Sequence, residues 1–392
     1  MDKNFKPLKN NPNIFMDTSK KQADLELTNE LARRNEFESE SVASMEVNAG
    51  VFSSICVICD SDIHAGSIGS NAIREEMKVN FIKNTANAYS ILNGDMFNSI
   101  IKAEENIHDD KFGTNRQIER AIHLYEDIKD KIVCVIDGNH DGACGKRWTT
   151  STLSPCKHFA DALGLPSIEF GVNVKFNLPT SDFKRENQYI NIYFSHATGK
   201  SSGDAKSVDI TFENAMTFLS EKGITPDVVF GGHFHSNSNG SFPVNIMEYD
   251  EYGKCIGVKR KDIITVSEST LQEVARYAQS CGYPKADSNV YLNNIRLVKN
   301  PYYTNASKDK QPEYVVELTR FPMFKNGKNE YTEQALMYMR KYQEPTWLED
   351  LVEKEYAKLS TTKAISKLAN ENKNFISKQF LSDDNEDIVV NE

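Results

Sequence analysis

Five short clusters of metal-ligating side chains are spaced along the chain, and each one closes an apolar run. They are Asp62 and His64 in CDSDIH, Asp95 in NGDMF, Asn139 and His140 in DGNHD, His196 in YFSHA, and His233 and His235 in GGHFH. The Val- and Ile-rich runs at 51–59, 89–92, 132–136, 190–195 and 227–230 read as strands that stop where the clusters begin. Helix-compatible segments over 72–87, 115–129, 152–163 and 208–222 alternate with them. That alternation predicts an α/β layered sheet whose strand-end loops carry the chemistry. Beyond GGHFH the pattern changes to shorter strands at 243–249, 255–259 and 262–266, with DEYG and KRKD as turns. The stretch from 297 to 327 reads as a loop with a final strand or two.

The residue types in the clusters belong together chemically. Carboxylate, imidazole and amide groups suit hard-to-borderline divalent cations, and two such ions about 3.5–4 Å apart can clamp an in-line displacement at phosphorus. An isolated D-x-H or Gly-Asp is an ordinary turn; the common order and strand-end position raise both. Gly138, Asn139, His140 and Asp141 form the most specific block. In it an amide oxygen is a neutral ligand, while the next residue, His140, is placed to give a proton to a departing oxygen. Five of the eight histidines fall in the clusters, whereas His108, His123 and His158 lie on polar loops or helices and read as surface or packing residues.

These blocks, D-x-H, G-D, G-N-H-D, a lone His and G-H-x-H, resemble the calcineurin-like metallophosphoesterases over the stretch from Asp62 to His235. The resemblance implies an α/β fold: a β-sandwich of two mixed sheets flanked by helices, here with N- and C-terminal extensions. It implies one metal among Asp62, His64, Asp95 and His235, a second among Asp95, Asn139, His196 and His233, and Asp95 as the bridge. Manganese, iron or zinc would serve, with manganese favoured. The two ions would lower the pKa of a bridging water that attacks phosphorus, with Asp95 and His140 as the catalytic residues. The loop HATGKSSGDAK departs from the glycine-led pattern usual after the lone histidine, which makes Lys200 and Lys206 candidate phosphate contacts; Lys146 and Arg147, just after GNHD, are the others. The substrate expected first is a phosphodiester of nucleic acid or a nucleotide, the DNA repair exonucleases of this fold being one model. The layout is also similar to phage-encoded members. A phosphoprotein or small-molecule phosphomonoesterase, and a non-catalytic scaffold keeping the fold, are the alternatives.

Composition bounds the rest. A net charge of −10 argues against non-specific coating of nucleic acid, yet two bound dications would invert the field where a phosphate sits. Seven scattered cysteines do not form a paired framework, and Cys56 and Cys59, a C-x-x-C inside an apolar run, read as buried strand thiols. No apolar run is long enough to cross a bilayer, so a cytoplasmic protein without membrane partners is expected. Residues 1–48 read as a polar extension, 49–325 as the catalytic core, 326–380 as a helical segment and 381–392 as an acidic tail. Apolar spacing over 332–380 suggests a stripe for a protein partner or a dimer.

Overall fold

The structure, a computed structural model, describes residues 42–49, 52–99, 111–140, 154–178, 188–196, 205–235, 237–249, 252, 254–268, 270–273, 288–304 and 313–343. In chain order the elements are β1 (Ala43–Asn48), β2 (Ser54–Asp60), α1 (Ala72–Lys83), β3 (Ala88–Asn93), α2 (Thr114–Tyr125), β4 (Ile132–Ile136), α3 (Pro155–Leu163), β5 (Ser167–Ile168), β6 (Gly171–Leu178), β7 (Gln188–Ser195), α4 (Ala205–Glu221), β8 (Val228–Gly231), β9 (Ser238–Tyr249), β10 (Cys255–Ser267), β11 (Tyr291–Lys299), β12 (Tyr314–Pro322) and α5 (Glu333–Lys341).

Two mixed six-stranded sheets result, ordered β1-β6-β7-β8-β10-β9 and β12-β11-β2-β3-β4-β5. In the second, β2 to β5 run parallel; in the first, β7, β8 and β10 do. The fold is thus α/β, two sheets flanked by helices, as the resemblance implies. Every residue of β2 is buried, which explains the unbroken apolar run from Ile55 to Cys59 between Ser54 and Asp60. One face packs Ile55 and Val57 with Ile91, Val174, Ile192 and Phe230 in a shared core. The other packs Ile58 with Phe81 and Ile82 of α1, Ile118 of α2 and Phe159 of α3. Helix α4 buries Val208, Phe212, Met216 and Leu219, a single helical stripe.

Local chemistry sets the helix ends. Ser154 caps α3 by accepting from Lys157 N–H, Pro155 begins it, and Gly164 closes it in the left-handed region. Helix α1 stops at Lys83, short of the expected 87, because Asn84 turns back and bonds the carbonyl of Asn80. On α1, fully buried Lys78 pairs with Asp60 at 3.0 Å and donates to the Tyr125 hydroxyl at 2.7 Å. This ion pair anchors the end of β2 immediately before Asp62.

Three expectations differ from what is observed. KRKD is no turn: β10 runs unbroken from Cys255 to Ser267 against β9. Only Ile264–Ser267 of β10 also pair with β8, so the cationic residues sit on a ribbon that is solvated near its tip, where Ile256 and Val258 are exposed too. Strand β1 lies within the segment read as a polar extension, and pairs in parallel with β6. Finally, no break marks residue 325. Helix α5 begins at Glu333, Ala335 is buried in the core beside α1, and Asn87 donates to the Tyr338 hydroxyl at 2.8 Å. The remaining terminal segments, 1–41 and 344–392, lie outside the described residues. Among the described residues no helix is long and apolar enough to cross a membrane.

Candidate metal centre

All five clusters stand at the carboxyl ends of strands: Asp62 and His64 after β2, Asp95 after β3, Asn139 and His140 after β4, His196 after β7, His233 and His235 after β8. The two sheets meet there. Backbone bonds from Asp62 N–H to Gly94 O (3.1 Å) and from His64 N–H to Asp95 O (2.9 Å) tie the first two loops. The Asp95 carboxylate accepts from His140 N–H at 2.8 Å, and Asp62 Oδ2 accepts from His233 N–H at 2.8 Å, joining one sheet to the other. Close packing explains two motif glycines. A methyl group at Gly138 would overlap the Asp95 carboxylate and backbone nitrogen, and one at Gly94, where φ is +80°, would overlap the His196 ring.

Ligand atoms of Asp62, His64 and His235 lie within 4.8 Å of one another, as do those of Asp62, Asp95, His196 and His233, and those of His64, Asp95 and His140. Asn139 Oδ1 is 3.2 Å from His196 Nε2. Every proposed metal ligand is therefore in one cluster. The grouping differs in detail from that implied by the resemblance, because Asp62 associates with the His196 and His233 side as closely as Asp95 does. Of the weaker candidates, Lys206 falls on the first turn of α4, while Lys146, Arg147 and Lys200 lie outside the described residues. His123 and His158 are exposed, and His108 lies outside the described residues.

Three imidazoles are held through one nitrogen. His64 Nδ1 is 3.1 Å from Asn98 Oδ1, His140 Nδ1 is 3.2 Å from Asn98 O, and His196 Nδ1 is 2.9 Å from Asn93 O. A carbonyl oxygen only accepts, so each Nδ1 carries the proton and each Nε2 is turned toward the cluster. His196 Nε2 lies 3.3 Å from Asp95 Oδ2, and His235 Nε2 3.0 Å from Asp62 Oδ1. Asn98 and Ser61, whose hydroxyl donates to Asp62 Oδ2, were not marked by any motif. A polar residue that supports a ligand has no period and no fixed spacing to reveal it.

The electrostatics divide the histidines. Burial and neighbouring His140 push His64 down to about 3. Burial opposes charge on His196 too, but the Asp95 and Asp62 carboxylates outweigh it and lift that group to about 10. Burial would raise both carboxylates; the adjacent histidines, His235 and His196 for Asp62 and His196 and His140 for Asp95, hold them well below the usual range. Around them, Asp62 Oδ1, His64 Nε2 and His233 Nδ1 are buried without a hydrogen-bond partner. Asp62 Oδ1 thus lies near His235 without making a hydrogen bond of normal geometry, the relation expected of two ligands that face one cation. Five of these residues, Asp62, His64, Asp95, His233 and His235, hold φ between +48° and +73°. Such backbone is unfavourable for non-glycine residues and gathers at functional sites. Orphaned buried nitrogen and oxygen atoms, paired carboxylates and strained ligand loops together fit divalent cations.

Among the described residues the cysteines fit no such site. Cys56, Cys59 and Cys134 are buried free thiols, and burial raises all three, Cys134 to about 12.

No family model and no curated protein matches the chain. Among solved structures it is similar to a calcineurin-like phosphoesterase, YfkN, from Bacillus subtilis: 12% identity, TM-score 0.32, covering 74% of this chain and 96% of that one. It is also similar to a predicted phosphoesterase from Streptococcus pneumoniae, with 11% identity, TM-score 0.29 and coverage of 68% and 98%. A Vps29 double mutant from Entamoeba histolytica matches with 9% identity, TM-score 0.28 and coverage of 69% and 99%. At these scores the functional reading rests on the motif order and the geometry of the site.

Proposed function

We propose that the chain is a calcineurin-like metallophosphoesterase that hydrolyses a phosphate ester, in the first place a phosphodiester of nucleic acid or a nucleotide. One observation carries this reading: seven ligand-type side chains from five strand ends converge with buried nitrogen and oxygen atoms left unpartnered. Asp62, His64 and His235 would hold one cation and Asp95, Asn139, His196 and His233 the other, with the Asp62 and Asp95 carboxylates between the two groups. When bound, two dications, manganese before iron or zinc, supply Lewis acidity toward the phosphoryl oxygens and a water acidic enough to attack near neutral pH.

The chain's own residues do the rest. Asp95 accepts from the backbone of His140, so the carboxylate at the centre also fixes the proton donor at its edge. His140 is half-buried and its Nδ1–H is committed to Asn98 O, so Nε2 is the free ring atom, and a second proton held there can pass to the departing ester oxygen. The test is hydrolysis of bis-p-nitrophenyl phosphate by manganese-loaded protein. Asp95→Asn is expected to lower turnover by at least a hundredfold and to weaken metal binding. Near-normal turnover in that variant contradicts the assignment.

A further inference from the structure

Phe170 stands at the same end of the sandwich as the cluster and is 47% exposed. Two ladders fix its place. On one side β5 runs parallel to β4 with Ile168 opposite Ile136, and Asp137 N–H donates to Ile168 O at 2.9 Å. On the other side β6 starts at Gly171 opposite Ser195, the last residue of β7, so Phe170 precedes the ladder at the end where His196 follows it. Phe170 therefore lies on the turn between the strand end that carries Asn139 and His140 and the strand end that carries His196. Neighbours on both sides pack inward: Ile168 against the core and Val172 within it. Phe170 is the large apolar side chain of this turn that the fold leaves in water.

We infer that Phe170 is an aromatic platform beside the metal cluster that stacks the base of a nucleoside phosphoester. This deepens the phosphoesterase reading and rests on it. A phenyl ring offers a flat face and no hydrogen-bonding group, so it takes any nucleobase without reading its identity. It gives nothing to a substrate whose phosphate carries only a sugar or an alkyl group. The ligand class is accordingly a nucleotide or a single-stranded nucleic-acid end, with its phosphate among the histidines and its adjacent base on Phe170.

The experiment is calorimetric titration of the manganese-loaded full chain with adenosine 5′-monophosphate and with ribose 5-phosphate, which differ only in the base. Base stacking on an aromatic side chain gives the former an advantage of about tenfold in affinity. Phe170→Ala is expected to abolish that advantage while leaving ribose 5-phosphate binding unchanged, and Phe170→Trp to keep it. Thermal unfolding and manganese content are measured in parallel to confirm that both variants are folded and loaded. Equal affinity for the two ligands in the wild type, or an advantage that survives Phe170→Ala, overturns the inference even if hydrolysis is normal. A Phe170-dependent advantage in a protein that hydrolyses nothing upholds the platform and overturns the catalytic reading instead.

Discussion

Replacing His233 by glycine should stabilise the metal-free protein. His233 holds φ at +73°, a conformation worth roughly 1–2 kcal/mol against a non-glycine residue. Its Nδ1 is buried without a partner, which costs about 1–3 kcal/mol more. Against this stand the ring's edge contact with His196, with centroids 5.4 Å apart, of order 0.5–1.5 kcal/mol. Glycine also adds backbone entropy to the unfolded chain, about 0.5–1 kcal/mol. The hydrogen bond from residue 233 to Asp62 Oδ2 uses the backbone and survives. The balance favours the variant by about 1–2 kcal/mol when metal is removed. With metal the order reverses, since ligand at a hundredfold its Kd stabilises the wild type by about 2.7 kcal/mol and the variant has lost a ligand. Thermal unfolding of both proteins in chelator and in manganese reads this directly: His233→Gly should melt a few degrees higher in chelator and lower in manganese. A variant that melts lower in both, by the same margin, would show His233 to be a packing residue and refute the reasoning.

Two other perturbations probe the surroundings of the cluster. Asn98→Ala removes the acceptor that fixes the His64 ring and should weaken metal affinity about 10- to 100-fold, measured by competition with a chromogenic chelator; unchanged affinity would count against the tautomer argument. Buried Glu268 is raised from 4.5 to about 7 by burial, despite Arg320 at 3.3 Å and Asn293. Because its folded pKa lies above the unfolded one, its contribution is fully present below pH 4.5 and is lost as pH rises to about 7. The amount is on the order of 3 kcal/mol. Glu268→Gln should flatten the pH dependence of the urea midpoint across that window, and an unaltered slope would place the titration elsewhere.

How much of this was legible depended on whether a residue's role leaves a pattern. Strand β2 could be read because both its faces are covered and its sequence is apolar from Ile55 to Cys59. Helix α3 could be read because Ser154, Pro155 and Gly164 are local signals that act within a turn. Strand β1 was hidden: ASMEVN is a short, half-exposed run at a sheet edge, and although Val47 joins the core with Ala43 and Met45 against it, its place depends on pairing with β6, more than a hundred residues away. The cationic run in β10 imitates a turn in sequence because a two-stranded ribbon in water tolerates charge along its length. At the site, the ligands were legible because their chemistry is rare and ordered. Their supports were not: Ser61, Asn93 and Asn98 act through single hydrogen bonds, and the Glu268 to Arg320 pair joins residues 52 apart. The left-handed backbone of five ligands was equally invisible, since Asp and His carry no requirement for it; tertiary contacts impose it.

The most direct test of the central claim is anomalous diffraction at the manganese edge from crystals of the manganese-loaded protein. Two peaks are expected, one enclosed by Asp62, His64 and His235 and one by Asp95, Asn139, His196 and His233, about 3.5–4 Å apart. A map with no peak among these residues, or with manganese bound elsewhere on the chain, would contradict it.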